Sequence, residues 1–306
     1  MQMDRRIKFR HLEAFVAIAR TKRLKIAAEQ LNLTQPAISK SLKDLEEILG
    51  VRLMQRDRAG VELTPEGKIF MQFAEQSTVA LTQGLHKIAS LNDVGGAMLR
   101  IGVLPAVAGQ VLPAAVARFR EISRNTTVRI EEGPHGHLAD MLRTGDLDLV
   151  IGRLADREMM EGLSFAALYS EPVVAVAAPD HPKRAVTRLE QIMDELILYP
   201  PDTAAIRPFM ARLMLSQGLP LFAKRIETVS AGFGRAAVLG PMRPIWIVSQ
   251  GVVEDDLADG TLVALDIDMT SAQGPVGMMS RISETPSTLV SVFRDALAEA
   301  AAAGPI

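Results

Sequence analysis

The 306-residue sequence predicts an α/β protein in three successive parts: a small helical head with a hairpin, one long helix, and a body of two α/β lobes. Three observations lead to this prediction. Apolar residues recur at helical spacing near the start, a long proline-free segment follows, and strand-like and helix-like patterns then alternate to the end. A chain of this length is expected to hold about two domains.

Charge is distributed unevenly along the chain. The whole sequence has a net charge of −2, with 34 Lys and Arg against 36 Asp and Glu, whereas residues 1–60 hold 13 Lys and Arg against 7 Asp and Glu. A basic head on an acidic body favours a head that binds a polyanion. Chance clustering of the charges is the alternative.

Two further features limit the class of protein. The sequence has no cysteine, which excludes disulfides, thiolate chemistry and cysteine-based metal sites. The charged start "MQMDRRIKFRH" lacks the apolar core of a signal peptide, and the longest apolar runs are too short to span a bilayer. We therefore expect a cytoplasmic protein with no membrane partner.

The predicted head, residues 1–63, contains three helical patterns. The apolar face of the first consists of Leu12, Phe15, Val16 and Ala19. The second covers about residues 25–31, and the third follows Thr34, a favourable N-cap residue, with Pro36 in its first turn. The buried stripe of the third helix consists of Ile38, Leu42, Leu45 and Leu49. Its opposite face carries Gln35, Ser39, Lys40 and Lys43.

A helix that begins with short polar side chains suits a helix-turn-helix, because a recognition helix enters the DNA major groove with its N-terminus first. Gln and Ser reach base edges there, and Lys reaches phosphates. Two short strands follow at about 51–54 and 61–63, around a turn that carries Arg56 and Arg58. An arginine-tipped hairpin in this place predicts the wing of a winged helix. A structural helical hairpin with a solvated basic face is the alternative.

The motifs of the head resemble the DNA-binding domain of LysR-type transcriptional regulators. The resemblance rests on "AAEQL", "TQPAIS" and "LTPEG" and extends over some sixty residues without a gap. It implies a double-stranded DNA operator as partner, with RNA polymerase as a possible further one. The residues that it places against DNA are Thr34, Gln35, Pro36, Ser39, Lys40, Lys43, Arg56 and Arg58. One departure is Lys22-Arg23, which stands where the family usually has a small polar turn with a serine cap.

A long helix is predicted for residues 64–92. It starts with "TPE", which offers a cap, an early proline and an acid in the first turn. Its sparse apolar stripe consists of Ile69, Phe73, Leu81, Leu85 and Ile88. One such stripe on a long polar helix favours a partner helix, and the resemblance implies a dimerisation linker in a homotetramer. Packing of the stripe onto the chain's own body is the alternative.

The body, residues 98–306, begins with a βαβαβ order that predicts a parallel sheet with helices on both faces. Four later strands, "LILYPP", "RIETVS", "PIWIVS" and "LVALDI", belong to a second lobe. The segment "GPVGMMSR" and a final helix return to the first. We therefore place lobe I at 98–167 and 270–306, and lobe II at 168–269.

Two lobes that the chain crosses twice resemble a periplasmic-binding-protein-like effector domain. Ligands in such folds lie beyond the carboxyl ends of the strands. The effector-binding candidates are Leu104, Pro105, Ala106, His135, Arg153, Pro201, Thr203, Arg207, Phe233 and Arg235. We expect Arg207 and Arg235 to pair with a carboxylate, and Arg153 to lie in the crossover between lobes. Surface salt bridges are the alternative for the arginines, and a core position for Phe233.

Several segments of the body, "GRL", "LYSEP" and "IETVSAGFGRA" among them, resemble the LysR-type regulators of protocatechuate-degradation operons. This implies an activator that responds to a carboxylated intermediate of the β-ketoadipate pathway and needs no cofactor. Since residues 104–106 lack the hydroxyl that many relatives place there, we expect backbone or arginine groups to bind the ligand carboxylate. A regulator of another small-carboxylate pathway, or a DNA-binding protein without an effector, remains open.

An enzyme is the rival class, and the sequence argues against it. It contains no GxSxG, no P-loop and no dinucleotide-binding GxGxxG. His135 and His137 are close together, but no carboxylate cluster completes a metal site, and a solvated turn is the simpler interpretation. A sequence-blind DNA-compacting protein is a second rival, which a neutral chain with a large body does not favour.

Overall fold

The computed structural model describes residues 6–57, 60–92, 97–155, 159–282 and 286–303. The chain divides into two compact units, one formed by the head with the long helix and the other by the two lobes. The architecture is the α/β arrangement that the sequence predicts.

The head consists of three helices and a hairpin, and the long helix continues it. The elements are α1 (Phe9–Thr21), α2 (Leu24–Gln30), α3 (Gln35–Leu49), β1 (Met54–Asp57), β2 (Gly60–Leu63) and α4 (Pro65–Asn92). The two strands are antiparallel, with Met54 opposite Leu63. They form the hairpin that the sequence predicts after the third helix, but its first strand begins at Met54 rather than at about residue 51, so Arg56 lies on β1 and not in the turn.

Small residues and one aromatic pair hold the head together. Ala27 and Ala28 are buried on α2, which lets α2 approach its neighbours closely. The rings of Phe15 and Phe70 meet edge to face with centroids 5.3 Å apart, so α4 packs on α1. Arg20 and Glu75 add an ion pair of 3.0 Å between the same two helices.

The helix α4 has 28 residues and is therefore about 42 Å long. Its first turn is capped by Thr64, whose hydroxyl accepts the Gly67 N–H at 2.9 Å. The predicted apolar stripe lies on its surface: Ile69, Phe73, Leu81, Leu85 and Ile88 are between 44% and 65% exposed.

The second unit contains two five-stranded sheets with helices between their strands. The elements of the first lobe are β3 (Met98–Val103), α5 (Pro105–Ala108), α6 (Val111–Ile122), β4 (Thr127–Glu132), α7 (His135–Thr144), β5 (Leu149–Arg153), β6 (Leu163–Glu171), β12 (Gly274–Arg281) and α11 (Thr288–Ala303). Those of the second are β7 (Val173–Ala177), β8 (Ile197–Tyr199), α8 (Arg207–Ser216), β9 (Arg225–Glu227), α9 (Ala231–Leu239), β10 (Ile245–Ser249), α10 (Glu254–Ala258) and β11 (Val263–Ala264).

The strand orders are β4-β3-β5-β12-β6 in the first sheet and β11-β7-β10-β8-β9 in the second. As predicted, β3 is parallel to both β4 and β5. Both sheets are nevertheless mixed, because β12 is antiparallel to β5 and β6, and β7 is antiparallel to β10 and β11. The return of the chain through β12 to the first lobe agrees with the sequence prediction.

The chain crosses between lobes at two points that the sequence places a few residues away. The strand β6 was not predicted, and it remains in the first sheet through Glu171, so the first crossover is at Pro172 rather than at 167–168. The segment Thr270–Ala272 still packs in the second lobe, and β12 begins at Gly274. The second crossover is therefore at residue 273.

Candidate functional site

The start of α3 presents the predicted DNA-facing residues to solvent. Thr34 occupies the N-cap position, Pro36 lies in the first turn, and both are exposed. Gln35, Lys40 and Lys43 are exposed as well, and Ser39 is half-buried. The hydroxyl of Thr34 makes no cap hydrogen bond to the helix. The polar face is thus solvated, while Ile38 and Leu45 hold the opposite face in the core.

A cavity of about 730 Å³ lies between α3 and the hairpin. Ser39 and Lys43 line it from α3, and Arg52 and Gln55 line it from the chain that enters the hairpin. Arg52 and Gln55 are exposed, and neither is among the residues that the sequence predicts to face DNA. A basic residue directly before the first wing strand was the available signal. Of the predicted hairpin arginines, only the backbone of Arg56 is described, on β1, and Arg58 lies outside the described residues.

The turn between α1 and α2 departs from the family pattern as expected. Lys22 has a φ of 55°, the left-handed conformation in which a side chain is uncommon. Arg23 occupies the N-cap position of α2 without a side-chain cap bond, and both cations are exposed. The hydroxyl of Thr21 donates to the Ala17 carbonyl oxygen at 2.9 Å and so helps to close α1.

A second cavity, of about 90 Å³, lies between the two lobes. Six of the predicted effector-binding residues line it: Leu104, Pro105, Ala106, His135, Arg153 and Thr203. The remaining wall is mostly apolar and includes Pro200, Ile206, Trp246 and Val248. Four predicted residues are not part of the wall: Pro201, Arg207, Phe233 and Arg235. The structure therefore brings together the ends of strands in both lobes and leaves out three of the expected side chains on α8 and α9.

Arg153 is the charged group of this cavity and is 1% exposed. Its guanidinium makes an ion pair of 2.8 Å with Glu171, and it donates to the carbonyl oxygens of Glu171 at 3.0 Å and Gly274 at 3.3 Å. It also donates to the Ser249 hydroxyl at 3.2 Å. Burial lowers the pKa of Arg153 and raises that of Glu171, and the attraction between the two opposes both shifts. Arg153 is the last residue of β5, so the prediction that it lies in the crossover between lobes is wrong. Its bonds instead join β5 to both crossovers and to the end of β10.

Gly274 makes room for this arrangement. A Cβ at Gly274 would lie 2.6 Å from the Phe209 ring and 3.0 Å from the Arg153 guanidinium. The guanidinium carbon of Arg153 lies 5.4 Å from the centroid of that ring. Only glycine therefore allows the second crossover to approach the buried cation this closely.

Arg207 lies beside the cavity rather than in it. It pairs with Asp202 at 3.0 Å and with Glu227 at 3.5 Å, and it donates to the Pro200 carbonyl oxygen at 2.8 Å. Its guanidinium also stacks on the Tyr199 ring, 4.7 Å from the centroid. Arg207 therefore holds the segment 200–206, part of which forms the cavity wall, and is already neutralised by two carboxylates.

Arg235 and Phe233 are also placed differently from the prediction. Arg235 pairs with Asp256 at 2.6 Å and donates to the Val252 carbonyl oxygen, at the edge of a separate depression of about 410 Å³. Phe233 is 42% exposed on α9, so it is neither a core residue nor part of the cavity wall. The geometry therefore does not support a shared carboxylate grip by Arg207 and Arg235, because each has its own counter-ion.

His135 is not in a solvated turn, and that interpretation is wrong. It begins α7 and is 2% exposed, at the cavity wall, whereas His137 is exposed on the same helix. The reason is that α7 starts three residues earlier than the pattern "LADMLRTG" indicates. Among the described residues, no three His, Asp or Glu side chains converge as a metal site. No described helix has the length and apolar character needed to cross a bilayer.

The lobes are also bridged by Gln110, a residue for which the sequence predicts no role. Its amide donates to the Glu254 carboxylate, and its oxygen accepts from the Tyr169 hydroxyl at 3.3 Å. Gln110 precedes α6 in the first lobe, and Glu254 begins α10 in the second. A single glutamine in a loop carries no sequence signal, because its partner is 144 residues away.

Two family models match the chain. Residues 9–68 match a model described as "Bacterial regulatory helix-turn-helix protein, lysR family", and residues 93–302 match one described as "LysR substrate binding domain". The first contains α1 to β2, and the second contains both lobes and the cavity between them.

Full-length relatives agree with these matches. The chain is 38% identical to the HTH-type transcriptional regulator PcaQ of Agrobacterium fabrum over 301 residues, which cover 98% of this chain and 96% of the relative. It is 35% identical to the uncharacterized HTH-type transcriptional regulator YdcI of Escherichia coli, with 93% of each chain covered. The fold is similar to that of full-length BenM, with a TM-score of 0.55 at 22% identity over 97% of each chain. It is also similar to that of full-length CbnR in complex with its target DNA, with a TM-score of 0.53 at 20% identity over 96% of this chain and all of that one.

The regulatory helix-turn-helix and the two-lobed domain thus occur together and in the family's order, and the named relatives are regulators rather than enzymes. This chain belongs to the LysR family of DNA-binding transcriptional regulators.

Proposed function

We propose that the protein is a ligand-responsive activator of an operon for aromatic-acid breakdown, of the protocatechuate and β-ketoadipate type. The observation that carries this proposal is the 38% identity to PcaQ along 98% of the chain. The motifs "GRL", "LYSEP" and "IETVSAGFGRA" support the same subgroup. A regulator of another small-carboxylate pathway would share the fold and differ in the residues around the cavity.

On DNA, the exposed start of α3 enters the major groove. Gln35 and Ser39 are the candidates for base contacts, and Thr34, Lys40 and Lys43 for phosphate contacts. Arg52 and Gln55 approach the adjacent backbone from the other side of the 730 Å³ cavity, and Arg56 and Arg58 remain candidates at the wing.

The active form is a homotetramer built from two dimers. The exposed apolar stripe of α4 supports pairing through this helix, since in water such a stripe is stabilised by a partner. A second exposed apolar group lies around α9 and supports a further contact between copies. Its members are Val229, Phe233, Leu239 and Met242. Each dimer then places two recognition helices in successive major grooves, about 34 Å apart.

The ligand binds in the cavity between the lobes, with its apolar part against Leu104, Ile206 and Trp246. The cavity is small compared with the roughly 300–1,000 Å³ of common ligand sites, so binding requires the lobes to separate and close again on the ligand. That change shifts a quaternary equilibrium and the bend of the DNA.

Calorimetry with the full-length protein tests the ligand. Protocatechuate, carboxymuconate and β-ketoadipate are titrated in parallel with unrelated amino acids as controls. Saturable binding of one pathway acid alone supports the proposal. Binding of none of the pathway acids would leave the family assignment in place and refute the pathway.

A further inference from the structure

We propose that Glu46 is a positioning residue that sets the wing relative to the recognition helix, and through it the wing's contact with DNA. This inference rests on the proposed DNA contact of the wing. It concerns a carboxylate on α3 that faces the hairpin, next to the residues expected to bind DNA.

The geometry places one oxygen of Glu46 at the base of the wing. The Glu46 Oε1 atom accepts the backbone N–H of Leu53 at 2.8 Å and the backbone N–H of Met54 at 3.0 Å. Leu53 and Met54 are buried, so their N–H groups need an acceptor inside the protein. Glu46 thus ties the first wing strand directly to the recognition helix.

The opposite strand of the wing is held elsewhere. The Val61 N–H donates to the Lys22 carbonyl oxygen at 3.0 Å, in the turn before α2. Gly60 has a φ of 141°, and a Cβ at this position would lie 2.6 Å from the same oxygen. The base of the hairpin is closed by Thr64, whose hydroxyl donates to the Arg52 carbonyl oxygen at 2.8 Å. Within the part of the chain that the structure describes, Glu46 is therefore the side chain whose hydrogen bonds join the wing to α3 itself.

The charge of Glu46 makes a direct role in DNA binding unfavourable. It lines the cavity that also carries Lys43 and Arg52, and a carboxylate near DNA repels phosphates. Its two short bonds to the wing backbone give a reason for an acceptor oxygen at this reach. The neighbouring Glu47 provides the comparison, because it pairs with Lys43 at 3.4 Å and makes no described bond to the hairpin.

The test uses four variants of the full-length protein. E46A removes the acceptor, E46D keeps the charge but shortens the side chain by one methylene, and E46Q keeps an oxygen at the same reach. E47A removes a carboxylate from the same helix without touching the wing. The DNA is a duplex selected by the wild-type protein from a random library, with an unselected duplex beside it. Hydroxyl-radical footprints and dissociation constants at four salt concentrations are measured, and thermal melting identifies variants that fail to fold.

We expect E46A and E46D to lose the protection that lies beyond the two recognition-helix sites. Their slopes of log Kd against log salt should fall by about one for each phosphate that the wing no longer touches. E46Q should keep the wild-type footprint, and E47A should keep it with equal or tighter binding. Since E46D retains the charge, it decides the question if E46A does not fold.

A wild-type footprint and salt slope in folded E46A or E46D would overturn the inference, as would the same loss in E47A or E46Q. Failure of the wild-type protein to select a duplex, or to protect DNA beyond the two recognition-helix sites, would instead refute the proposed DNA contact of the wing. The two failures are therefore distinguishable.

Discussion

Removal of the Glu171 carboxylate should strongly destabilise the two-lobed unit. Glu171 is the counter-ion of Arg153, and both side chains are nearly inaccessible, with 2% and 1% of their surface exposed. In Glu171→Ala the cation keeps its bonds to two carbonyl oxygens and to Ser249, but loses the only carboxylate paired with it among the described residues.

Removing one partner of a buried ion pair leaves the other charge buried without a counter-ion, and this lowers the free energy of unfolding by about 3–5 kcal/mol. For a unit of roughly 200 residues, this corresponds to a fall in Tm of about 6–20 °C. Differential scanning calorimetry of the full-length protein measures the transition of that unit. The double variant R153M/E171L replaces the pair by apolar groups and should recover most of the loss, because the desolvation of both charges is then avoided.

Glu190→Ala is the matched control in the same unit. Glu190 pairs with Arg188 at 3.7 Å, with side chains 55% and 69% exposed, and such a surface pair contributes at most about 1 kcal/mol. A Glu171→Ala variant whose Tm falls no further than that of Glu190→Ala would refute a strong contribution of the buried pair to stability.

Four further results are expected. Gln35→Ala should weaken binding to the selected duplex by about 1–3 kcal/mol and leave binding to unselected DNA unchanged. Fluorescence anisotropy measures both affinities, and an equal loss on the two duplexes would count against a base contact by Gln35. Arg207→Ala should weaken ligand binding in calorimetry, because the cavity wall at 200–206 loses its support. Arg235→Ala should change ligand affinity little, since Arg235 lies outside that cavity. A larger loss of affinity in Arg235→Ala than in Arg207→Ala would contradict these two roles. Burial lowers the pKa of His11 in the folded head, with Arg10 and Lys8 adding to the effect and Asp44 opposing it. The unfolded chain therefore takes up the proton first, and the head should lose stability as the pH falls below about 6.5. The midpoint of urea unfolding should therefore be lower at pH 5.5 than at pH 7.5. This difference should be smaller in His11→Gln and as large as in the wild type in the exposed His137→Gln.

Elements with strong local patterns were predicted well. The head was recognisable because its helices bury regular stripes and its caps and prolines lie at the helix starts. The strand β6 was missed, because its sequence "LSFAALYSE" has no clean alternation, and its place is determined by pairing with β12 more than one hundred residues later. The early start of α7 was missed for a related reason. Its first turn contains "HGH", and glycine normally argues against a helix.

The residues around the cavity between the lobes were predicted only in part. The segment after β3, the start of α7 and the end of β5 line it as predicted, because the carboxyl ends of strands meet at one edge of a sheet. The predicted roles of Arg207 and Arg235 did not agree with the geometry. A sequence shows a positive charge but not its counter-ion, and Asp256 is 21 residues from Arg235 along the chain.

The sequence by itself determined the order of the parts, the polar start of the recognition helix and the apolar stripe of α4, because each depends on residues a few positions apart. Only the tertiary structure showed that the arginines expected to bind a ligand are already paired with carboxylates. It also showed that one glutamate ties the wing to the recognition helix and one arginine joins both crossovers. Such bonds depend on distances between residues that are far apart in the chain, and no local pattern encodes them.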